Sequence, residues 1–126
     1  SANRGRAVVT SAPNEFHELG ARILADMLEA DGWDIFFLGA NTPVEELIKL
    51  VRKADPRSLA ISVTMPFNMD RVATIISGIR NDSALSSVKI LVGGAAFNAD
   101  RTLWQKIGAD AWAEDPPSAI RQVQSW

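Results

Sequence analysis

One histidine stands in this chain of 126 residues. It is His17, within "NEFHELG" at residues 14–20, with Glu15 two places before it and Glu18 directly after. A neutral imidazole is the commonest protein ligand for a metal. Its second nitrogen needs a partner that fixes the tautomer, often a carboxylate, and Glu15 is the candidate. Ser62 and Thr64 lie two apart, so on a strand both hydroxyls share one side and can hold a polar ligand together. Gly93 and Gly94 let another group pass close to the backbone, and Gly20 does the same one turn into a helix. Each piece has a plainer reading when taken singly. A lone histidine commonly decorates a surface or sits satisfied in a core, and a glycine pair after a strand commonly marks a turn. Ser62 and Thr64 can satisfy local backbone groups. Glu15 and Glu18 suit a helix N-terminus on dipole grounds.

The elements that must position these residues alternate along the chain. "RAVVTSA" at 6–12 is a short β-branched apolar run. Leu19, Ile23, Leu24, Met27 and Leu28 then recur at helical spacing, and Gly32 stops the helix. "WDIFFLG" at 33–39 reads as a second strand. A second helix follows in "NTPVEELIKLVRKA", with Thr42 as its N-cap, Pro43 in its first turn and Glu45 completing a capping box. "SLAISVTM" at 58–65 is a third strand, and 68–81 a third helix with Val72, Ile75, Ile76 and Ile79 on its buried side. "VKILVGG" at 88–94 is a fourth strand, 99–107 a fourth helix, "ADAWA" at 109–113 a fifth strand, and a fifth helix runs from Pro117 to the end. Met65, Phe67 and Met69 read as packing, Trp33, Trp104 and Trp112 as core or boundary residues, and Trp126 as a fraying end.

Five strands, each followed by a helix, predict an α/β fold with a parallel sheet covered on both faces. Right-handed crossovers limit its topology. The flavodoxin-like, Rossmann-like order 2-1-3-4-5 suits five repeats. A ligand then sits outside the carboxyl ends of the strands, at the switch between strands one and three. "NEFHELG" follows strand one at that edge, "SVTM" ends strand three, and "GGAAF" ends strand four. One imidazole, two hydroxyls and two glycines therefore converge from three adjacent strands.

Composition narrows the chemistry. Hydrophobic residues make up 47% and charged residues 22%, ordinary for a globular domain. A net charge of -2 argues against a nucleic-acid surface, which needs a basic patch. There is no cysteine, which removes disulfides, thiol nucleophiles and cysteine-held zinc or iron–sulfur groups. No apolar run approaches a membrane span and no signal peptide is visible, so a cytoplasmic setting is expected. Residues 1–5 read as a tag or linker remnant and 6–126 as one domain. A receiver domain would need acidic residues ending strand one, where Ser11 and Ala12 stand. A dinucleotide fold would need a glycine fingerprint there, and no P-loop or flavodoxin phosphate loop occurs.

The combination is similar to the signature of cobalamin-binding domains. Glu15-Phe16-His17-Glu18-Leu19-Gly20, then 41 intervening residues, Ser62-Val63-Thr64, 28 more, and Gly93-Gly94 follow that family's D/E-x-H-x-x-G, S-x-L or S-x-T, and G-G pattern. The resemblance spans essentially the whole chain. It implies cobalamin bound base-off, with His17 as the lower axial cobalt ligand and metal residue and Glu15 as its partner. The nucleotide tail then lies in a slot beside strands one, three and four. Ser62 and Thr64 line it, and Gly93 and Gly94 form its narrow wall. Cofactor contacts are implied for Asn14, Glu15, Phe16, His17, Glu18, Leu19 and Gly20, for Ser62, Val63, Thr64 and Met65, and for Gly93, Gly94, Ala95 and Phe97.

The wording of the motif also points within the family. Glu15 stands where the mutases and methyltransferases usually have aspartate, and "HELG" followed by "LGANTP" most resembles the cobalamin domains of MerR-type light-sensing transcriptional regulators. A cobalamin-binding sensory domain, light-responsive through the upper ligand, is therefore the leading expectation. The alternative is the corrinoid carrier domain of a cobalamin-dependent methyltransferase or mutase. Catalysis by the domain alone is not expected, because no acid, base or nucleophile is placed above the cobalt. Expected partners are cobalamin, in its adenosyl or methyl form, and other domains of a longer chain, with an upstream helical cap and an effector. No contact with nucleic acid or membrane is expected. A haem-binding sensor subfamily resembles the same fold, and His17 would serve either metal.

Overall fold

The apolar runs of the sequence become a five-stranded parallel sheet in the computed structural model, which describes residues 4–12, 19–39 and 42–126. The strands are β1 (Gly5–Ser11), β2 (Trp33–Leu38), β3 (Ser58–Ser62), β4 (Lys89–Gly93) and β5 (Ala111–Ala113). Their order is β2-β1-β3-β4-β5, the expected flavodoxin-like arrangement. Six α-helices lie among the described residues, five between strands and the last after β5: α1 (Leu19–Ala30), α2 (Val44–Ala54), α3 (Met69–Arg80), α4 (Ala95–Ala99), α5 (Leu103–Lys106) and α6 (Pro116–Gln124). None is long and apolar enough to cross a membrane. Arg4 donates from its backbone to Gly32, and Gly5 already belongs to β1.

The sheet has two unequal faces. Val8, Leu59, Ile61, Ile90 and Val92 pack against Leu47 and Val51 of α2 and the four expected residues of α3, all of them buried. Ala7, Val9, Ala60, Leu91, Ala111 and Ala113 face Ala21, Ala25 and Leu28 of α1 and Ala119 and Val123 of α6. The first layer is built from leucine, isoleucine and phenylalanine. The second is rich in alanine. Because strand residues alternate between faces, one contiguous row on the second face crosses the carboxyl edge of the sheet: Ser11, Ser62, Gly93 and Ala113, in register.

Three local readings need correction. Thr42 does not cap α2. Its hydroxyl donates to the Gly39 carbonyl, Pro43 takes the N-cap position, and no side-chain cap bond forms, so the capping box with Glu45 is absent. The predicted fourth helix is two short ones, with Asp100 between them accepting from the backbone and hydroxyl of Thr102 in place of helical bonds. Trp126 does not fray: it packs against the α1–α6 layer, and its carbonyl accepts from Arg57.

The first helix shows the most informative difference. Leu19 and Ile23 are 70% and 42% exposed, while Ala21, Ala25 and Leu28 turn toward the sheet. The helix is rotated so that its small residues face inward. A leucine–isoleucine stripe there would fill the space above β1 and β3.

Carboxylates fix several turns. Asp115 caps α6: its side chain accepts from the Ser118 backbone at 2.9 Å, and the Ser118 hydroxyl returns the bond in a capping box. The Ser118 backbone and then its hydroxyl hold the Asp115 carboxyl below the ordinary value of 3.8. Arg52, followed by the Ala84 backbone, does the same for Asp82, and the Thr102 hydroxyl, followed by its backbone, for Asp100. A lowered folded value means that the unfolded chain binds more protons in acid. The stabilisation is therefore complete above the ordinary value and is lost as pH falls through the lowered one. Thermal melts followed by circular dichroism should show a melting temperature that drops from about pH 5 to about pH 3. Asp115→Asn keeps an oxygen acceptor without titrating, so it should flatten part of that drop.

Candidate cofactor site

A cleft of about 120 Å³ opens on the alanine-rich face, between α1 and α6, at the carboxyl edge of the sheet. Its floor is Val9 of β1, Ala60 of β3 and Leu91 of β4, one row in from the edge. Its mouth is formed by Gly20, Ser62, Gly93, Gly94 and the β5–α6 turn of Glu114, Asp115 and Pro116. Ala21 and Leu24 make one wall, and Ala113 and Ala119 lie on the other side. The space exists because the residues around it are small.

The glycines keep it open in different ways. A Cβ at Gly20 would lie 4.0 Å from the Ser62 hydroxyl, an ordinary contact, so the bare position faces open cleft. A Cβ at Gly93 would come within 3.0 Å of the Ala113 carbonyl, tight against the neighbouring strand. Gly94 has φ +105, and a Cβ there would collide with the backbone of Val63. That backbone is already committed: the Val63 amide donates to Gly93 at 2.8 Å, and its carbonyl accepts from Ala96 at 3.1 Å. Gly94 is therefore required for the junction itself as well as for the rim of the cleft.

The expected site residues divide into three groups. Gly20, Ser62, Gly93 and Gly94 come together at the cleft, as the motif spacing implied. Leu19 and Met65 stand exposed at the same carboxyl edge, the second at 41%, without lining the cleft. Ala95 opens α4 on the surface, and Thr64 lies beyond the end of β3, half-buried and outside the cleft lining. Val63 and Phe97 are fully buried on the other face of the sheet, against the α2–α3 layer, so they are core packing and not cleft contacts. Asn14, Glu15, Phe16, His17 and Glu18 lie outside the described residues.

Sequence reasoning missed the floor and the far wall: Val9, Ala60, Leu91, Ala21, Leu24, Ala113 and Ala119. Alanine carries no chemical signal of its own. Sequence reasoning also missed the β5–α6 turn as part of the cleft, although an aspartate followed by two prolines is a signal for a helix start that could have found it.

Two buried polar atoms at this edge have no hydrogen-bond partner among the described residues, the hydroxyl of Ser11 and the side-chain nitrogen of Asn68. Ser11 shares its face and row with Ser62, beside the cleft. No three histidine, cysteine, aspartate or glutamate side chains converge as a metal cluster among the described residues. An apolar slot with a polar mouth, glycines that leave room and an orphaned hydroxyl alongside fit the tail of a large cofactor better than a bare ion.

Residues 5–121 match the B12 binding domain family, and the chain belongs to that family. It is 27% identical over 120 residues to dimethylamine corrinoid protein 3 of Methanosarcina acetivorans, covering 95% of this chain and 55% of that protein. The monomethylamine corrinoid protein of Methanosarcina barkeri superposes with a TM-score of 0.86 at 26% identity, over 95% of this chain and 57% of that one. A cobalamin-binding protein from Desulfitobacterium hafniense has the same fold, with a TM-score of 0.89 at 22% identity over 98% of this chain and 59% of that one. The chain spans about half the length of the curated relatives it matches. The cofactor is thus cobalamin, and the haem alternative left open by the sequence falls away.

The two glycine positions give separable outcomes. Gly20→Leu should leave the far-ultraviolet circular dichroism unchanged and reduce cobalamin uptake at least tenfold, because the new side chain enters open cleft. Gly94→Leu should instead destabilise the fold by about 2 kcal/mol or more, since it combines a strained φ with a backbone collision. Urea unfolding monitored beside cofactor titration separates the two.

Proposed function

We propose that this chain is the cobalamin-carrying domain of a methyl-transfer system, in which a partner protein supplies and removes the methyl group. The observation that carries the proposal is the cleft between α1 and α6, with Gly20, Ser62, Gly93 and Gly94 at its mouth. The relatives' names support a carrier over the light-sensing regulator that the "HELG" wording suggested, because they are dimethylamine and monomethylamine corrinoid proteins. Photoreception and transcriptional regulation have no such support.

When bound, cobalamin supplies reversible methyl transfer at cobalt, and the protein supplies binding, orientation and exclusion of water. On this reading His17 would hold the metal, and Glu15 would be the carboxylate that fixes the imidazole's tautomer. Ser62 holds a polar part of the tail at the mouth of the cleft. Exposed Leu19 and Met65 give the corrin an apolar seat on the carboxyl edge. Of the two carboxylates at the mouth, Asp115 is committed to capping α6 and Glu114 pairs with Arg101 at 3.8 Å.

His17→Ala should weaken cobalamin binding at least tenfold and return the visible spectrum of any bound fraction toward that of the free cofactor. A mutant spectrum identical to wild type would remove His17 from the cobalt. The carrier role is checked by size-exclusion chromatography of the adenosylcobalamin-loaded chain in darkness and after illumination. A carrier keeps one elution volume. A light-dependent shift would restore the sensor, whose interface must switch between discrete arrangements.

A further inference from the structure

We propose that the cleft selects among cobalamin-type cofactors by the base at the tip of the nucleotide tail, accepting a benzimidazole and rejecting a purine. The inference rests on the cobalamin reading above and adds which tail the slot admits.

The argument comes from a polarity gradient. Side-chain polarity is confined to the mouth and the carboxyl-edge row, where Ser11, Ser62, Glu114 and Asp115 lie. The next row in is Val9, Ala60 and Leu91, with Leu24 and Ala119 above it, and no described side chain there donates or accepts a hydrogen bond. The backbone of that floor is occupied, because Val9 pairs with Ala60 and Ala60 with Leu91 in parallel ladders. The α6 wall offers no donor either. Pro116 and Pro117 lack an N–H, the Ser118 amide is taken by the Asp115 carboxylate, and the Ala119 amide by the Asp115 carbonyl.

The tail is tethered to the corrin at one end and carries its base at the other. The corrin is far bulkier than the base, so of the two ends the base is the one that can enter the cleft and travel deepest. Dimethylbenzimidazole and adenine are both flat two-ring systems, so shape separates them little. Adenine brings two more ring acceptors and an amino group. Each gives up its water on insertion and meets an apolar floor, and an unpaired buried polar group costs binding.

The test is spectrophotometric titration of the chain with the hydroxo forms of cobalamin, adeninylcobamide and cobinamide, which has no base. Cobalamin should bind tightest, and adeninylcobamide about 10- to 100-fold more weakly, toward the value for cobinamide. Leu24→Gln places an amide in the wall, and Ala60→Ser places a hydroxyl in the floor. Either should narrow the gap between the two complete cofactors several-fold. Circular dichroism confirms folding, and if the first variant unfolds, the second carries the comparison. Equal affinity of the wild-type chain for cobalamin and adeninylcobamide, both well above cobinamide, overturns the selection while leaving cobalamin binding intact. An undiminished gap in the folded variants overturns it too, because the floor is then not what discriminates. Failure to bind any of the three, or equal binding of all three, removes the tail slot itself and the proposal with it.

Discussion

Where β3 and β4 end, the backbone of Val63 lies so close to residue 94 that no Cβ fits between them. The contact is held from both sides, since the Val63 amide and carbonyl bond to Gly93 and Ala96. From this junction α4 departs at once, and Phe97 is drawn into the α2–α3 core. The two strands thus stay paired to their last residues with no side chain rising between them. That bare edge is what the cleft is built on. A larger residue at 94 would have to push the two strand ends apart, so the cleft and the topology share one steric requirement.

A cleft inside a layered fold costs dispersion contacts and apolar burial that a filled layer would have gained. This chain offsets the loss across the sheet. The α2–α3 face carries its large residues, with Leu47, Leu59, Ile61, Ile75, Ile76, Ile79, Ile90 and Phe97 fully or almost fully buried. The α1–α6 face is thinner, made largely of alanines, with Val9 and Leu91 in the cleft floor and Leu28, Trp33 and Val123 around it. Arg22, whose guanidinium lies 4.8 Å from the Phe37 ring, helps hold α1 over β2 on that face. The polar residues follow the same division of labour, since the α6 cap fixes a cleft wall while Arg80 and Asp110 tie the far edge of the sheet to α3.

Much of this arrangement is legible in the sequence, and the reason is periodicity. β-branched runs separated by amphipathic helices leave few alternatives to a doubly wound sheet, and the four buried residues of α3 could be named from their spacing alone. Motif spacing then brought Gly20, Ser62, Gly93 and Gly94 to one edge. Spacing failed where two faces of one helix were both apolar. On α1 the larger stripe of Leu19 and Ile23 looks like the core, yet the smaller stripe of Ala21 and Ala25 faces inward, because close approach to the sheet matters more there than volume. Thr42 shows a second limit: a hydroxyl can close the preceding turn as readily as it can cap the following helix. Proximity in sequence misled at Val63 and Phe97, where adjacency to motif residues said nothing about which face each side chain takes.

The unequal thickness of the two faces also bears on how the molecule opens. Partial unfolding draws on the regions with least buried apolar contact, so excursions are expected to concentrate in α1 and α6, and β3, β4 and the helices behind them are expected to exchange their amide hydrogens only through larger openings. A guest lodged between α1 and α6 would supply the contacts that the alanines withhold. Its binding free energy is then also folding free energy for that half of the domain, adding about 1.4 kcal/mol for each tenfold rise of free guest above its dissociation constant. Filling the cleft would thus change how often the two halves of the domain part company.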